Sequence, residues 1–313
     1  MTARTPNDAA LSAALSAADR YLVVGNPIAH SRSPEIHAAF ARQTAQAISY
    51  DRLLVPTEPA DAFDRAVGEF AAAGGLGVNV TLPFKERAFA YAARHSERAL
   101  LAGAVNTLAF REGGVYGDNT DGAGLVADLQ GRLGISLAGK SVLLLGAGGA
   151  ARGVLISLMQ AGVAELTVAN RTLARAQALV AQFNESAPVR EARLRPSAAV
   201  ALHAAQGADL VINATSSGVL NAGLRLPPNL FRTCALAYDC VYGPQPTAFM
   251  EQALEGGARQ VSDGLGMLVE QAAESFLIWR GVRPLTAPVY RILQGRVLRG
   301  AAAARAAGAA DGS

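Results

Sequence analysis

The segment Ser141-Val142-Leu143-Leu144-Leu145-Gly146-Ala147-Gly148-Gly149-Ala150-Ala151 sets an aliphatic run directly against a glycine turn, and a helical-period stretch, Ala151–Ala161, follows it. A run of that length with a turn behind it reads as a buried strand feeding a helix, and Gly146-x-Gly148-x-x-Ala151 reads as a dinucleotide-binding turn. Gly146 permits the tight turn, Gly148 lets a pyrophosphate reach the backbone, and the small Ala151 lets helix and strand pack closely. The start of the helix offers free N–H groups and the positive end of a dipole to an anion. NAD-binding versions place a carboxylate at the tip of the second strand, but here the tip reads Val168-Ala169-Asn170-Arg171-Thr172. A carboxylate would repel a 2′-phosphate, whereas Arg171 and, one helical turn on, Arg175 attract it, so the expected cofactor is NADP(H).

Outward from this turn, short apolar runs alternate with helical-period segments along the whole chain, the pattern of an α/β protein with mostly parallel sheets. Before the turn the expected elements are a strand at Tyr21–Val24, a helix at Pro34–Thr44, a strand at Ile48–Leu54, a helix at Pro59–Ala72, a strand at Gly77–Thr81, a helix at Pro83–Ala93 and strands near Asn106–Phe110. A helical segment, Gly122–Leu133, leads into a second series with strands at Ser141–Leu145, Glu165–Ala169, Leu210–Asn213 and Ala235–Asp239. Two domains suit 313 residues, since single domains usually hold roughly 100–200. The stretch Met267–Trp279 and a helix after Pro288 fit a cap on either domain.

Composition excludes several classes. With 51% hydrophobic and 17% charged residues the chain is globular, not disordered, and a net charge of +3 without clustering gives no nucleic-acid footprint. The longest uncharged stretch, Leu210–Leu224, is interrupted by Asn213, Thr215, Ser216, Ser217 and Asn221, so no membrane span is expected. Cys234 and Cys240 suit neither a disulfide framework nor a zinc site, and as small buried hydrophobes they fit a reducing, cytoplasmic setting. No metal is expected. The Ala-rich termini, residues 1–19 and 301–313, read as flexible extensions without chemistry.

Three motifs in the first half put polar residues at the ends of apolar strands, where open α/β sheets bind ligands. In Gly25-Asn-Pro-Ile-Ala-His-Ser31-Arg-Ser33-Pro34, Ser33 is expected as N-cap and Pro34 as first helical residue, which sets the Ser31 and Ser33 hydroxyls at the positive end of a helix and suits a carboxylate. In Asn79-Val-Thr81-Leu-Pro83-Phe-Lys85, Pro83 is expected to start a helix with Lys85 in its first turn, where the dipole disfavours a cation by roughly 0.3–1 kcal/mol. Asn106-Thr107 and Gly117-Asp-Asn-Thr-Asp121-Gly122 add donors and acceptors on the same edge, with Asp121 as candidate partner of Lys85.

These residues fall in nine ordered blocks, GNPIAHSRSP, NVTLPFKE, LAGAVNT, GDNTDG, GAGGAARGV, NRT, INATSSG, YDCVY and DGLGMLVEQA, and from Tyr21 to Leu293 the chain resembles the shikimate dehydrogenase family, NADP-dependent enzymes of aromatic amino-acid and chorismate biosynthesis. The resemblance implies reversible reduction of 3-dehydroshikimate to shikimate, Lys85 acting as general acid and base with Asp121. It implies Ser31 and Ser33 on the substrate carboxylate with Tyr242 nearby, and Thr81, Asn106, Asp121 and Gln271 on its ring oxygens. Gly146, Ala147, Gly148, Gly149, Ala150, Asn170, Arg171, Thr172, Arg175 and Thr215 match cofactor contacts, with Cys240 and Gly264 beside the nicotinamide. Many relatives carry Met where Cys240 stands.

The implied architecture has two open, mostly parallel sheets with the active-site cleft between them. One is a substrate domain of residues 20–122 plus 266–300, the other a Rossmann-like NADP domain of residues 123–265. The implied partner is the small-molecule substrate, with the protein a monomer or homodimer. Two rivals share the motifs: an NAD-preferring quinate/shikimate dehydrogenase, and a catalytically silent nucleotide-binding regulator. Arg171 at an acid-free strand tip counts against the first, and the presence of Lys85 and Asp121 against the second.

Overall fold

The computed structural model describes residues 18–184, 193–198 in their backbone course, 207–215 and 226–296. Residues 1–17 and 301–313 of the expected extensions, and Ser216 and Ser217 of the INATSSG block, lie outside the described residues. The chain forms two compact units, one running up to Thr120 and taking in Ala272–Val289, the other holding Asp121–Gln271 and the residues from Tyr290 onward.

The first unit is built on strands β1 (Asp19–Gly25), β2 (Ile48–Leu54), β3 (Gly75–Val80), β4 (Arg94–His95), β5 (Thr107–Arg111) and β6 (Gly114–Asp118), in the order β2-β1-β3-β5-β6-β4. Only β5 runs against its neighbours; β1 is parallel to β2 and β3, and β4 to β6. Helices α1 (Ser33–Gln43), α2 (Ala62–Ala72), α3 (Lys85–Tyr91) and α4 (Glu97–Ala102) connect the strands. The period-two alternation of β1 divides its side chains between two cores. Val24 packs with Phe63, Val67, Val78 and Leu108 on one face, while Tyr21 and Val23 pack with Ile28, Tyr50 and Trp279 on the other.

Two expected helix starts are corrected. Ser33 is the first residue of α1 and not its N-cap; Arg32 holds that place without a side-chain cap. The capping work falls to Ser31, whose Oγ accepts from the Ser33 N–H at 3.3 Å in a turn closed by a side chain. Pro83 does not start α3. A turn from the Thr81 carbonyl to the Phe84 N–H (3.0 Å) encloses Pro83, so Lys85 becomes the first helical residue.

On the second face, His37 of α1 is fully buried and stacks flat on Tyr50, with ring centroids 4.2 Å and planes 6° apart. Neither of its ring nitrogens makes a hydrogen bond among the described residues, and burial pushes its pKa down to about 3, with Asn79 nearby pulling weakly the other way. Between that value and the ordinary value near 6.5, the unfolded chain binds a proton at this residue that the native state refuses, so stability rises with pH across the window and is lost as pH falls. His37→Phe is therefore expected to be less acid-sensitive than wild type. Denaturant titrations from about pH 7 to about pH 4.5 should show a shallower stability slope, the His37 contribution approaching about tenfold in the folding equilibrium per pH unit. Identical slopes would show that His37 is not the group responsible.

The second unit carries strands β7 (Ser141–Leu145), β8 (Glu165–Asn170), β9 (Arg193–Ala198), β10 (Leu210–Asn213), β11 (Leu236–Asp239) and β12 (Val261–Ser262). All pairs are parallel, in the order β12-β11-β10-β7-β8-β9. This is the doubly wound dinucleotide-binding order, with its switch point between β7 and β10. Helix α5 (Asp121–Ala127) runs into a π-turn at Asp128–Arg132; α6 (Gly149–Gln160), α7 (Leu173–Asn184) and α8 (Ala248–Glu255) follow, and α9 (Leu265–Arg280) passes from this unit into the first. A last helix covers residues 286–296. The core under β10 and β11 gathers Leu143, Leu145, Val211, Phe231, Phe249 and the buried, free Cys234. The expectation of two open, mostly parallel α/β sheets matches what these strands form.

Candidate active site

In the first unit the candidate residues meet at one sheet edge because of strand direction. β1, β3 and β6 end at that edge, and β5, running the other way, begins there, so Asn106 stands beside the end of β3 and its carbonyl accepts from the Val80 N–H at 2.8 Å. Ser31 and Ser33 occupy the loop and first turn after β1, and the Ser31 hydroxyl donates to Ser33 Oγ at 3.2 Å. Their position at the start of α1 places two hydroxyls where the helix dipole favours an anion. Thr81 follows β3 and is tied to β1 through its N–H on the Val24 carbonyl at 2.9 Å. Lys85 is half-buried at the start of α3, and its carbonyl accepts from the Val105 N–H at 2.9 Å, which fixes that helix start beside the segment leading to Asn106.

Four residues to which the sequence reading gave no role hold this edge together. The Tyr50 hydroxyl donates to Asn79 Oδ1 at 2.7 Å and faces Ser33; burial pushes its pKa well up, so it remains a neutral phenol. Asn79 Nδ2 in turn donates to the Asn106 carbonyl, Thr107 Oγ1 and Ser275 Oγ at 3.2, 3.1 and 2.9 Å. Arg52 donates through Nε and Nη2 to the Ser31 carbonyl at 2.8 and 2.5 Å, setting a positive charge beside the paired hydroxyls. Ser275 is the hardest to foresee, since it lies 168 positions from its partner Thr107. Within GDNTDG, Asp118 is bound by Arg98 at 2.6 Å and Thr120 donates its N–H to Asn106 Oδ1 at 2.8 Å. Those residues therefore shape the edge, while Asp121, the next in the chain, is the buried first residue of α5 and belongs to the second unit.

In the second unit Gly146 has φ +110° and approaches the Ala214 backbone at the switch point; a Cβ there would be 3.1 Å from the Ala214 carbonyl carbon. Buried Ala147 completes the turn, while a Cβ on Gly148 or Gly149 would meet no atom of the described residues within 4 Å, and half-buried Ala150 follows in α6. That space above free helix-start N–H groups fits a pyrophosphate. Past β8, Asn170 Nδ2 donates to the Thr172 carbonyl at 2.9 Å, and exposed Arg171 and Arg175 stand on either side of Thr172. The donor set, two guanidinium groups and no carboxylate at the tip, fits NADP.

At the ends of β10 and β11, Thr215 donates from both N–H and Oγ1 to Asn213 Oδ1 (3.2 and 2.6 Å), and Asn213 Nδ2 donates to Asp239 Oδ1 at 3.0 Å. Burial pushes the Asp239 pKa up, while donors from Thr247, Val241 and Asn213 pull it back. Cys240 is half-buried and tied to β10 through its N–H on the Asn213 carbonyl at 2.8 Å. Gly264 lies against it, its N–H on the Val241 carbonyl at 3.1 Å. Tyr242 is half-buried in the loop after β11, and Gln271, in α9, donates to the Leu268 carbonyl at 3.0 Å. Among the described residues no group of three or more His, Cys, Asp or Glu side chains is arranged to hold a metal, and no helix is long and apolar enough to cross a membrane.

Three family models match the chain: the shikimate dehydrogenase substrate-binding domain over residues 23–108, shikimate/quinate 5-dehydrogenase over 128–220, and the shikimate 5′-dehydrogenase C-terminal domain over 264–294. A protein of Aromatoleum aromaticum named shikimate dehydrogenase (NADP(+)) is 55% identical over 276 residues, 88% of this chain and 97% of its own. Among solved structures, an Ael1 enzyme from Pseudomonas putida superposes with TM-score 0.80 at 47% identity, covering 88% of this chain and 98% of its own. The shikimate 5-dehydrogenase of Thermus thermophilus, in complex with NADP(H) and shikimate, superposes with TM-score 0.76 at 37% identity over 90% of this chain and all of its own.

Proposed function

The chain belongs to the shikimate dehydrogenase family, and from that premise we propose that it catalyses the reversible, NADP-dependent reduction of 3-dehydroshikimate to shikimate with Lys85 as general acid and base. It is an NADP-dependent oxidoreductase of aromatic amino-acid biosynthesis. The observation that supports the catalytic assignment best is the single sheet edge that gathers Ser31, Ser33, Thr81, Lys85 and Asn106 at the ends of β1 and β3 and the start of β5.

The cofactor, when bound, supplies the hydride. The protein's own residues do the rest. Ser31 and Ser33 hold the substrate carboxylate at the start of α1, with Arg52 adding positive charge and Tyr242 nearby. Thr81, Asn106, Asp121 and Gln271 take the ring oxygens. Lys85, as ammonium, donates its proton to the oxygen that becomes the alkoxide, and in the reverse direction the neutral amine accepts the proton of the shikimate hydroxyl. Asp121 is the carboxylate that the family resemblance pairs with this lysine. Glycines 146, 148 and 149 with Ala147 and Ala150 cradle the pyrophosphate, and Asn170, Arg171, Thr172 and Arg175 take the adenosine 2′-phosphate. Thr215, Cys240 and Gly264 border the remainder of the cofactor.

The test is turnover with shikimate or quinate, each paired with NADP⁺ or NAD⁺, followed by the absorbance of the reduced cofactor at alkaline pH. Rapid reduction confined to shikimate with NADP⁺ is expected. Comparable turnover of quinate with NAD⁺ would move the chain to the quinate-oxidising side of the family. A folded protein inactive with all four pairs would make it a regulator.

A further inference from the structure

The π-turn after α5 carries a polar cluster that no step above uses. Asp128 has a side chain only 1% exposed, and Arg132 grips it through Nε and Nη2 at 2.6 and 2.8 Å. The Tyr238 hydroxyl of β11 donates to Asp128 Oδ2 at 2.8 Å and accepts the Met267 N–H of α9 at 3.2 Å. Arg132 Nη2 also donates to Ser262 Oγ, at the end of β12, at 3.0 Å. The cluster thus grips both ends of the segment from Ser262 to Met267. Within that segment Gly266 lies so close that a Cβ would stand 2.0 Å from Asp128 Oδ1, and a Cβ on Gly264 would stand 2.3 Å from the Cys240 carbonyl oxygen.

A buried carboxylate held by a bidentate guanidinium and a phenol is rigid, because the three groups fix one another through several directed hydrogen bonds. The segment it grips runs from β12 into the start of α9, and its glycines at 264 and 266 leave the room that the close approaches to Cys240 and Asp128 require. We propose that Asp128 and Tyr238 are positioning residues which, through the 262–267 segment, set where the nicotinamide ring of the bound cofactor rests against Cys240 and Gly264. This rests on the reading that Cys240 and Gly264 border that ring. The adenosine end, bound at the Gly146 turn and at Arg171, does not depend on the cluster.

The experiment compares NADPH, titrated by its nicotinamide fluorescence, with adenosine 2′,5′-bisphosphate, which has the 2′-phosphate but no nicotinamide, on Tyr238→Phe, Asp128→Asn and Ser262→Ala proteins shown to be folded. Expected is a rise of about three- to tenfold in the NADPH Kd for Tyr238→Phe, the size of one hydrogen bond, with the bisphosphate Kd changed less than about twofold. Equal weakening of both ligands would make the cluster a general support of the fold and overturn the proposal, as would no change in any variant that folds. Alkylation of Cys240 in the wild-type protein checks the underlying reading separately. Protection by NADPH but not by the bisphosphate upholds it, whereas lack of protection by NADPH removes the reading and the proposal together.

Discussion

Lys85→Ala is expected to lower kcat in both directions by roughly 10²–10⁴-fold, the usual contribution of a positioned general acid or base. The substitution removes the amine and leaves the backbone in place. The carbonyl that anchors the helix start to Val105 belongs to the backbone and remains, and the side chain is only half-buried. Because the anchoring carbonyl remains, the variant is expected to stay folded while activity collapses. That combination separates a chemical role from a structural one. A kcat within about threefold of wild type would assign the proton to another group, and a change confined to KM would leave Lys85 a binding residue.

Arg171→Ala is expected to raise KM for NADP⁺ by about 10- to 100-fold, since a hydrogen bond to a charged group contributes roughly 1.5–3 kcal/mol and each 1.4 kcal/mol is tenfold. KM for NAD⁺ should change little, because that cofactor offers no 2′-phosphate to the guanidinium. Arg175→Ala should act in the same direction. Equal weakening of both cofactors would point to damage at the tip of β8; unchanged NADP⁺ kinetics would move the phosphate site elsewhere.

The strands easiest to read were those with strong aliphatic or alternating patterns: Ile48–Leu54, Ser141–Leu145 and Leu210–Asn213 have the same limits in the sequence reading and in the structure. β9 escaped because Arg193-Leu-Arg-Pro196-Ser-Ala198 carries a proline and two charges, and it is tolerated only as an edge strand. β4 and β12, two residues each, are too short to show any period. The cap of α1 was assigned one serine too late, because Ser31 and Ser33 are equally good acceptors and only the backbone course decides which N–H lies within reach.

Legible in the sequence were the α/β class, the glycine turn, the acid-free strand tip from which NADP is expected, and the serines, lysine and aspartate that carry the resemblance. All of these are written in neighbouring residues, where strand alternation, helix period and turn chemistry act over a few positions. That β5 runs antiparallel, and so brings Asn106 to the edge where β3 ends, emerged only with the folded chain. The fold alone joined Tyr50 to Asn79 and Asn79 to Ser275, and set Tyr238 on Asp128, 110 positions away. Such pairs have no local signature. Each depends on which strands lie side by side, and that is settled by the burial of whole apolar faces and not by any one residue's preference.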